Sequence, residues 1–304
     1  MSMRDIPELS LLCLKLIAKT PTRFVSEQSL ARAYHAYSPE LLTRCTQGLI
    51  DYVSEAGRLT DAVFPLCAFA TGRASLSLRN SKVSAKYLLA VLQRCPQLTR
   101  LDVSGCLPVD DDVVAAVLQL CPALEHLCIR NCRKLSDATL VTLQKQAKSI
   151  TSLSIGGNIN ITDVGLQHFI NQYPGAPLLQ ELHISGLPLS PALLAAIAKR
   201  CENLRELSVG YAILTPETFH TFIEQVGAGL EKLSIAWAEV AVVNPLAMQS
   251  SSALQGPTAA EFLESVRTCC PLLTSLDLTG VKNVNSSLIQ QFLDYKCSQV
   301  SVGY

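Results

Sequence analysis

The chain has 304 residues, and its 25 Lys plus Arg residues balance its 25 Asp plus Glu residues, so the formal net charge is zero. This balance argues against nucleic acid and against an anionic membrane surface as partners, because both attract a basic excess. Charged residues make up 16% of the chain and apolar residues 49%, which excludes extensive disorder. Twelve cysteines in a chain of this length favour a cytoplasmic or nuclear protein with reduced thiols over a secreted disulfide scaffold.

The first 73 residues form a separate N-terminal segment that does not follow the pattern of the rest. Ser38-Pro39 is typical of a capped helix start and Gly57 of a helix stop. An apolar run, Leu9–Ala18, is only ten residues long, too short to cross a bilayer. The predicted short helices cover residues 8–19, 26–36, 39–55 and 60–70. Because a repeat array needs a different end unit to cover its core, one interpretation of this segment is a helical cap.

From residue 74 to residue 304 the chain repeats the pattern L-x-x-L-x-L, for example as "LTRLDV" (98–103), "LEHLCI" (124–129) and "LTSLDL" (273–278). The anchor leucines of successive units are 25, 26, 26, 29, 25, 26 and 43 residues apart. All steps but the last lie in or beside the 20–29-residue period of leucine-rich repeats. Each unit is predicted to form one strand and one helix, and stacking of the units creates a continuous core. The anchors are Leu76, Leu101, Leu127, Leu153, Leu182, Leu207, Leu233 and Leu276.

Helix starts follow the predicted strands at regular positions. Ser136-Asp137, Thr162-Asp163 and Ser190-Pro191 each offer a capping hydroxyl, and proline is tolerated in the first helical turn. An acidic run, Asp110 to Asp112, also stands at a predicted helix start, where its charge meets the positive end of the helix dipole. Val113, Val114, Val117 and Leu118 then recur at helical spacing.

The cysteines admit two interpretations. Cys121, His126, Cys128 and Cys132 are suitable zinc ligands. The repeat nevertheless explains each position, because cysteines recur at the predicted helix ends and just after the predicted strands, where a small apolar residue packs well. We therefore favour core packing, and expect no metal and no cofactor. The recurring positions are Cys95, Cys121, Cys201 and Cys270 at helix ends, and Cys106 and Cys132 after strands.

Units such as "LCIRNCRKLSDATL" (127–140) and "LSIGGNINITDVGL" (153–166) resemble the cysteine-containing subtype of leucine-rich repeats. The resemblance covers about residues 74–302. It implies an α/β leucine-rich-repeat solenoid, with parallel strands on a concave face, helices outside and an N-terminal helical cap. An insertion at about 238–258 accounts for the long last step, and it is either a tolerated surface loop or a partner-contacting loop.

Residues beside the anchor leucines are predicted to project from the concave face and to bind a partner protein. Tyr, Trp and Arg among them are residue types that dominate binding energies at interfaces. The small residues Ser152, Ser154 and Gly156 are predicted to form a floor that lets a partner approach closely. The candidate partner-binding residues are Arg100, Asp102, His126, Arg130, Glu181, His183, Tyr211, Lys232, Trp237 and Asp277.

The N-terminal stretch "ELSLLCLKLIA" (8–18) places Leu9, Leu12, Cys13 and Ile17 on one helical face. It resembles the elongin-C-binding box of ubiquitin-ligase substrate receptors, including the zyg-type leucine-rich-repeat receptors. The resemblance implies that these four residues insert into a groove of the adaptor elongin C. Glu8 stands where that family usually has a small residue. F-box leucine-rich-repeat receptors share the same repeats, but this N-terminus lacks the F-box start.

No Gly-rich phosphate loop, His-Glu-x-x-His or G-x-S-x-G motif occurs in the sequence. We expect a non-enzymatic protein-binding module, the substrate receptor of a cullin-type ubiquitin ligase. The alternative is a structural or scaffold subunit of a larger assembly. A third hypothesis, metal-dependent catalysis at the Cys and His positions, is the least favoured.

Overall fold

A computed structural model describes residues 59–61, 74–210, 213–214, 216–236, 239–240, 259–281, 284, 286–295 and 300–303. The chain divides into two compact units, Met1–Ser149 and Ile150–Tyr304. Several predicted features lie outside the described residues. They are the predicted helices at 8–19, 26–36 and 39–55, and most of the 60–70 helix and of the 238–258 insertion. The candidate residues outside the described part are Leu9, Leu12, Cys13, Ile17, Tyr211 and Trp237.

In its described part, the first unit alternates strands and helices. The strands are parallel, with Leu76 opposite Leu101 and Leu101 opposite Leu127. Because each anchor leucine faces the next, every repeat buries the same side of its strand. The elements are β1 (Ser75–Ser77), α1 (Ala85–Leu92), β2 (Arg100–Asp102), α2 (Asp111–Leu120), β3 (His126–Cys128) and α3 (Asp137–Gln146).

The second unit repeats the same alternation. Its main strands are parallel and again in leucine register, for example Leu182 opposite Leu207 and Leu233 opposite Leu276. A separate parallel pair joins Ile213 to Glu239. The elements are β4 (Ser152–Ser154), α4 (Asp163–Gln172), β5 (Glu181–His183), α5 (Pro191–Arg200), β6 (Glu206–Ser208), β7 (Ile213–Leu214), α6 (Pro216–Val226), β8 (Lys232–Ser234), β9 (Glu239–Val240), α7 (Ala259–Cys269), β10 (Ser275–Asp277), α8 (Ser286–Tyr295) and β11 (Ser301–Gly303).

The anchor leucines form the core, as the repeat pattern predicts. Each of the eight is at most 2% exposed. Burying one leucine side chain stabilises the fold by about 1.5–3 kcal/mol. On α2 the buried residues are the predicted Val113, Val114, Val117 and Leu118. The parallel strands and alternating helices confirm the predicted α/β leucine-rich-repeat solenoid. None of the described helices combines the length and apolar character that a membrane-crossing helix needs.

Side-chain caps begin the helices where the sequence predicts them. The Ser136 hydroxyl accepts a hydrogen bond from the Ala138 amide at 3.2 Å, and the Thr162 hydroxyl accepts one from the Gly165 amide at 3.0 Å. Asp110 caps α2 in the same way, since its carboxylate accepts a 3.0 Å bond from the Val113 amide. These bonds satisfy amide groups that have no partner within the helix.

The acidic residue that opens a helix also binds the cap of the next helix. The Asp111 carboxylate accepts hydrogen bonds from the Ser136 amide at 3.0 Å, from the Ser136 hydroxyl at 2.7 Å and from the Thr139 hydroxyl. In the second unit, Asp163 accepts a 2.8 Å bond from the Ser190 amide. Asp111 therefore joins two repeats, a role beyond the predicted interaction with the helix dipole.

The same contact occurs N-terminal to residue 74. Asp61 accepts a 2.7 Å hydrogen bond from the Ser84 amide, and the Lys82 amide donates a 2.8 Å bond to the Leu59 carbonyl. Leu59 is fully buried. Residues 59–61 thus contact the first described repeat as the start of one repeat contacts the next.

We expect Asp111→Ala to lower the free energy of unfolding by about 1–3 kcal/mol, because the Ser136 and Thr139 donors lose a charged acceptor. Asp112→Ala is the matched control, since Asp112 is the exposed neighbour in the same helical turn. It should change the stability by less than about 0.5 kcal/mol. Denaturant titration of both variants measures the difference. Equal losses of stability in the two variants would show that Asp111 stabilises the fold only through the helix dipole.

Stability should also depend on pH through Asp111. Burial would raise the pKa of Asp111, but the hydrogen bonds from Thr139 and Ser136 outweigh it and hold the pKa below the ordinary value of 3.8. Since the folded state has the lower pKa, the unfolded state binds the proton first on acidification. The stabilisation is therefore complete well above pH 3.8 and is lost as the pH falls through the folded pKa. Melting curves should show the gap between wild type and Asp111→Asn closing below pH 3.8, and a constant gap would contradict this.

The recurring cysteines pack in the core, as the repeat predicts. Those at the helix ends and after the strands are at most 3% exposed. The Cys106 thiol donates to the Leu78 carbonyl at 3.0 Å, and the Cys132 thiol donates to the Val103 carbonyl at 3.3 Å. At the corresponding position of the following repeat, the buried Asn158 side-chain amide donates to the Ile155 carbonyl at 2.7 Å. The two thiols therefore bond to the preceding repeat, whereas Asn158 bonds within its own loop.

These buried thiols are protonated at neutral pH in the ion-free protein. Burial raises the pKa of Cys121 to about 11 and that of Cys132 to about 12, and the thiolate is the form that binds metals. Within the part of the chain that the structure describes, Cys121, His126, Cys128 and Cys132 do not bring their ligand atoms together. The cysteines of this part are thiols rather than disulfides.

Candidate partner-binding surface

Each main strand has three residues, and in every main strand but the last the central leucine is buried in the core. Side chains alternate along a strand, so the first and third residues project from the opposite side. We call the side chains on that side, with those just after each strand, the strand face. The strand face is described separately for the two units.

In the first unit the strand face has a positive excess. Arg100 and Arg130 are exposed, and His126 is half-buried. Arg79 pairs with Asp102, with 2.8 Å between Nη2 and Oδ2. The five charged or titratable residues that define this first surface are Arg79, Arg100, Asp102, His126 and Arg130.

Asp102 is held in one orientation by its neighbours. Its Oδ1 atom accepts hydrogen bonds from the Ser104 amide at 2.9 Å and the Ser104 hydroxyl at 2.6 Å. Burial would raise the pKa of Asp102, but the Ser104 bonds and the Arg79 charge outweigh it and lower the pKa. The carboxylate is therefore ionised at neutral pH and pairs with the exposed Arg79 side chain.

In the second unit the strand face has a negative excess. Its defining residues, which we call the second surface, are Glu181, His183, Glu206, Lys232 and Asp277. Lys232 pairs with Glu206, with 2.5 Å between Nζ and Oε1, and this contact raises the pKa of Lys232. With one lysine against three carboxylates, the second surface differs in sign from the first.

The carboxylates of the second surface are also oriented by hydroxyl groups. The Ser152 hydroxyl donates to Glu181 Oε2 at 2.5 Å, and the Ser234 hydroxyl donates to Asp277 Oδ2 at 2.9 Å. Asp277 Oδ1 accepts a further 2.6 Å bond from the Thr279 hydroxyl. Serines that look featureless in the sequence thus position the charged groups beside them.

The predicted small-residue floor has a different role in the structure. Ser152 and Ser154 are only 8% and 6% exposed. A Cβ atom added at Gly156 would lie 2.5 Å from the carbonyl oxygen of Ser185. Gly156 is therefore required by the packing of the neighbouring repeat, and close approach of a partner over these small residues stays a prediction.

Sequence reasoning placed the described candidate residues on the strand face but missed one arrangement. Glu181, His183 and Glu206 bring one ligand atom each to within 4.8 Å of one another. Aligning "ELH" (181–183) with "ELS" (206–208) on their anchor leucines would have indicated it, because residues at equal offsets from the anchors become neighbours.

A Ser–His–Glu contact lies on the helices of the second unit. His220 Nδ1 is 2.8 Å from the Ser265 hydroxyl, and Nε2 is 3.2 Å from Glu224 Oε1. The side chain of His220 is 51% exposed, and Glu224 lies one turn further along the same helix. This exposure leaves the group without the water-excluded surroundings that nucleophilic catalysis uses, so we interpret it as a polar contact on the surface.

No family model matches the chain, and no curated protein matches it. Among solved structures, the chain is similar to the yeast complex of Rad7 and Elc1, with 14% identity and a TM-score of 0.47 over 99% of this chain and 92% of that one. It is also similar to the leucine-rich-repeat-containing protein LegL7 of Legionella pneumophila, with 17% identity and a TM-score of 0.48 over 76% of this chain and 74% of that one. At these values neither similarity carries information on function.

Proposed function

We propose that the chain is a non-enzymatic protein-binding module and the substrate receptor of a cullin-type ubiquitin ligase. The repeats hold the substrate protein on the strand face, and the N-terminal helices hold the adaptor. Such a receptor works in the cytoplasm or the nucleus. The observation that carries this proposal is the pair of charged, hydroxyl-oriented surfaces on the strand face.

Pre-oriented charges favour protein binding. Asp102 is fixed by Arg79 and Ser104, and Glu181 is fixed by Ser152. Side chains that are ordered before the partner arrives lose less entropy when the complex forms. A rigid charged surface therefore supports recognition of a folded or extended protein segment.

The opposite signs of the two surfaces indicate what each would bind. The first surface, with Arg100 and Arg130 exposed, complements an acidic segment. The second surface, with Glu181 and Asp277 oriented towards the strand face, complements a basic segment. Charge complementarity of this kind selects partners and speeds association more than it adds affinity.

The adaptor half of the proposal rests on the sequence. The predicted helix would place Leu9, Leu12, Cys13 and Ile17 on one face, and Leu9, Cys13 and Ile17 resemble the key positions of the elongin-C-binding box. A helix that inserts a few apolar anchors into a groove concentrates its affinity in those anchors. Substrate binding and adaptor binding thus belong to different parts of the chain and can be separated by mutation.

We expect Arg100→Glu to weaken binding of the substrate protein by about tenfold or more while retaining the adaptor. Affinity purification of the tagged chain from cells, with quantitative identification of the co-purified proteins, measures both. Lys86→Glu is the matched control, since Lys86 is an exposed cation on α1, away from the strand face, and should lose neither.

The same experiment tests the proposal as a whole. Co-purification of elongin C and a cullin together with an Arg100-dependent protein is the expected result. Recovery of an Arg100-dependent protein without any adaptor would leave a scaffold subunit as the function. Recovery unaffected by Arg100→Glu would exclude the strand face of the first unit as the binding surface.

A further inference from the structure

Two neighbouring strands of the second unit bring three metal-binding side chains together. Strands β5 and β6 are parallel, with Leu182 opposite Leu207, and this register places Glu181 opposite Glu206. His183 follows Glu181 by two residues, so it projects from the same face. One ligand atom of each lies within 4.8 Å of the others, and all three side chains are half-buried. In the part of the chain that the structure describes, no other three His, Cys, Asp or Glu side chains converge in this way.

The electrostatics of this group favour a cation. Two carboxylates directly opposite each other on neighbouring strands repel and destabilise the pair. Lys232 offsets part of the charge through its 2.5 Å contact with Glu206 Oε1. The two carboxylates and one ammonium together still carry a net charge of minus one. A divalent ion bound between the two carboxylates would change the net charge of these groups from minus one to plus one and would remove the repulsion between the carboxylates.

The donor set indicates which ions fit. One imidazole nitrogen with two carboxylate oxygens suits zinc and other first-row transition-metal ions, whereas calcium and magnesium prefer oxygen ligands alone. The hydrogen bond from the Ser152 hydroxyl to Glu181 Oε2 orients one of these ligands, as groups behind metal ligands commonly do. Contacts of about 2.0–2.2 Å with one ion require the three ligand atoms to move closer together than they are in the ion-free protein.

We propose that Glu181, His183 and Glu206 bind a divalent transition-metal ion, with zinc as the best-fitting one. Three protein ligands leave a fourth tetrahedral position, which water or a side chain of a bound protein fills. This site differs from the cysteine cluster considered from the sequence, because no thiol takes part in it. The test of this site does not depend on the receptor function, because it measures binding of the ion by the chain itself. A bound ion would neutralise two carboxylates of the second surface.

Cobalt titration of the full-length reduced protein tests the site directly. Cobalt replaces zinc in such sites, and its absorption separates ligand types, because thiolates add intense near-ultraviolet charge-transfer bands that nitrogen and oxygen ligands do not. We expect one ion per chain, weak visible bands and no thiolate bands. Added zinc should displace the cobalt.

Variants then assign the ligands. His183→Asn and Glu206→Gln should each raise the dissociation constant of the metal by at least about tenfold. Removing a group that only hydrogen-bonds to a metal ligand already has an effect of this size, and these variants remove a ligand itself. Lys232→Met should lower the dissociation constant, since the Lys232 ammonium competes with the ion for Glu206. His126→Asn, which removes a half-buried strand-face histidine of the first unit, should leave it unchanged.

Each other outcome overturns the proposal. Absence of cobalt and zinc binding by the wild type excludes the site. Thiolate bands place the metal at cysteines, and binding that survives both His183→Asn and Glu206→Gln places it elsewhere on the chain. Melting curves identify any variant that does not fold, and in that case the tighter binding expected for Lys232→Met remains the deciding result.

Discussion

Leu233→Asp unfolds the second unit. Leu233 is 2% exposed and faces Leu207 on one side and Leu276 on the other, at the centre of three consecutive strands. Removing a buried leucine side chain costs about 2–5 kcal/mol, and burying a carboxylate without a partner adds several more. The total loss is about 5 kcal/mol or more. Whole domains are stable by about 5–15 kcal/mol, so a loss of this size is enough to unfold the unit.

The loss extends beyond one repeat because the repeats share their core. A repeat cannot bury its apolar face alone, so β6 and β10 lose the surface on which they pack. Circular dichroism should show a loss of helical signal at room temperature, and hydrogen exchange should show loss of protection from residue 206 to residue 277.

Leu272→Asp is the matched control for this experiment. Leu272 belongs to the same unit but is 57% exposed, so the same substitution buries no charge and opens no cavity. It should change the free energy of unfolding by less than about 0.5 kcal/mol. Similar melting curves for the two variants would contradict the leucine register.

The second large effect concerns the N-terminal helix. Leu9→Ser combined with Cys13→Ser should abolish co-purification of elongin C while the repeats stay folded. Anchors of a short helix in a groove each contribute about 2 kcal/mol or more, so losing two weakens binding by about a thousandfold. Pull-down at micromolar concentration measures the loss, and a melting curve of the same protein measures folding.

The helical-cap interpretation makes the opposite prediction for the same variant. If Leu9 and Cys13 only cover the end of the array, the double substitution lowers the melting temperature of the whole chain. Glu8→Ser provides a second comparison, because it restores the small residue that the adaptor-binding box prefers. It should leave adaptor binding equal or stronger, and wild-type protein that binds no elongin C at all would exclude this adaptor.

The periodicity of the sequence determined the fold. Anchor leucines, most of them spaced by 25 to 29 residues, place one buried side chain in each strand. The Ser, Thr and Asp caps begin helices through contacts with residues two or three positions away. Both signals are local or strictly periodic, so the strand centres, the helix starts and the buried cysteines were predictable. The side chains beside Leu101 and Leu182 were predictable as the strand face for the same reason.

Contacts between repeats were decided only by the tertiary structure. The Asp111 carboxylate accepts hydrogen bonds from Ser136 and Thr139 of the next repeat. The carbonyl oxygen of Ser185 leaves no room for a side chain at Gly156. Glu206 joins Glu181 and His183 because the two strands pair in one particular register. These partners are 23 to 29 residues apart. Equal offsets from the anchor leucines indicate which residues become neighbours, but the distances between their side chains depend on how one repeat packs on the next.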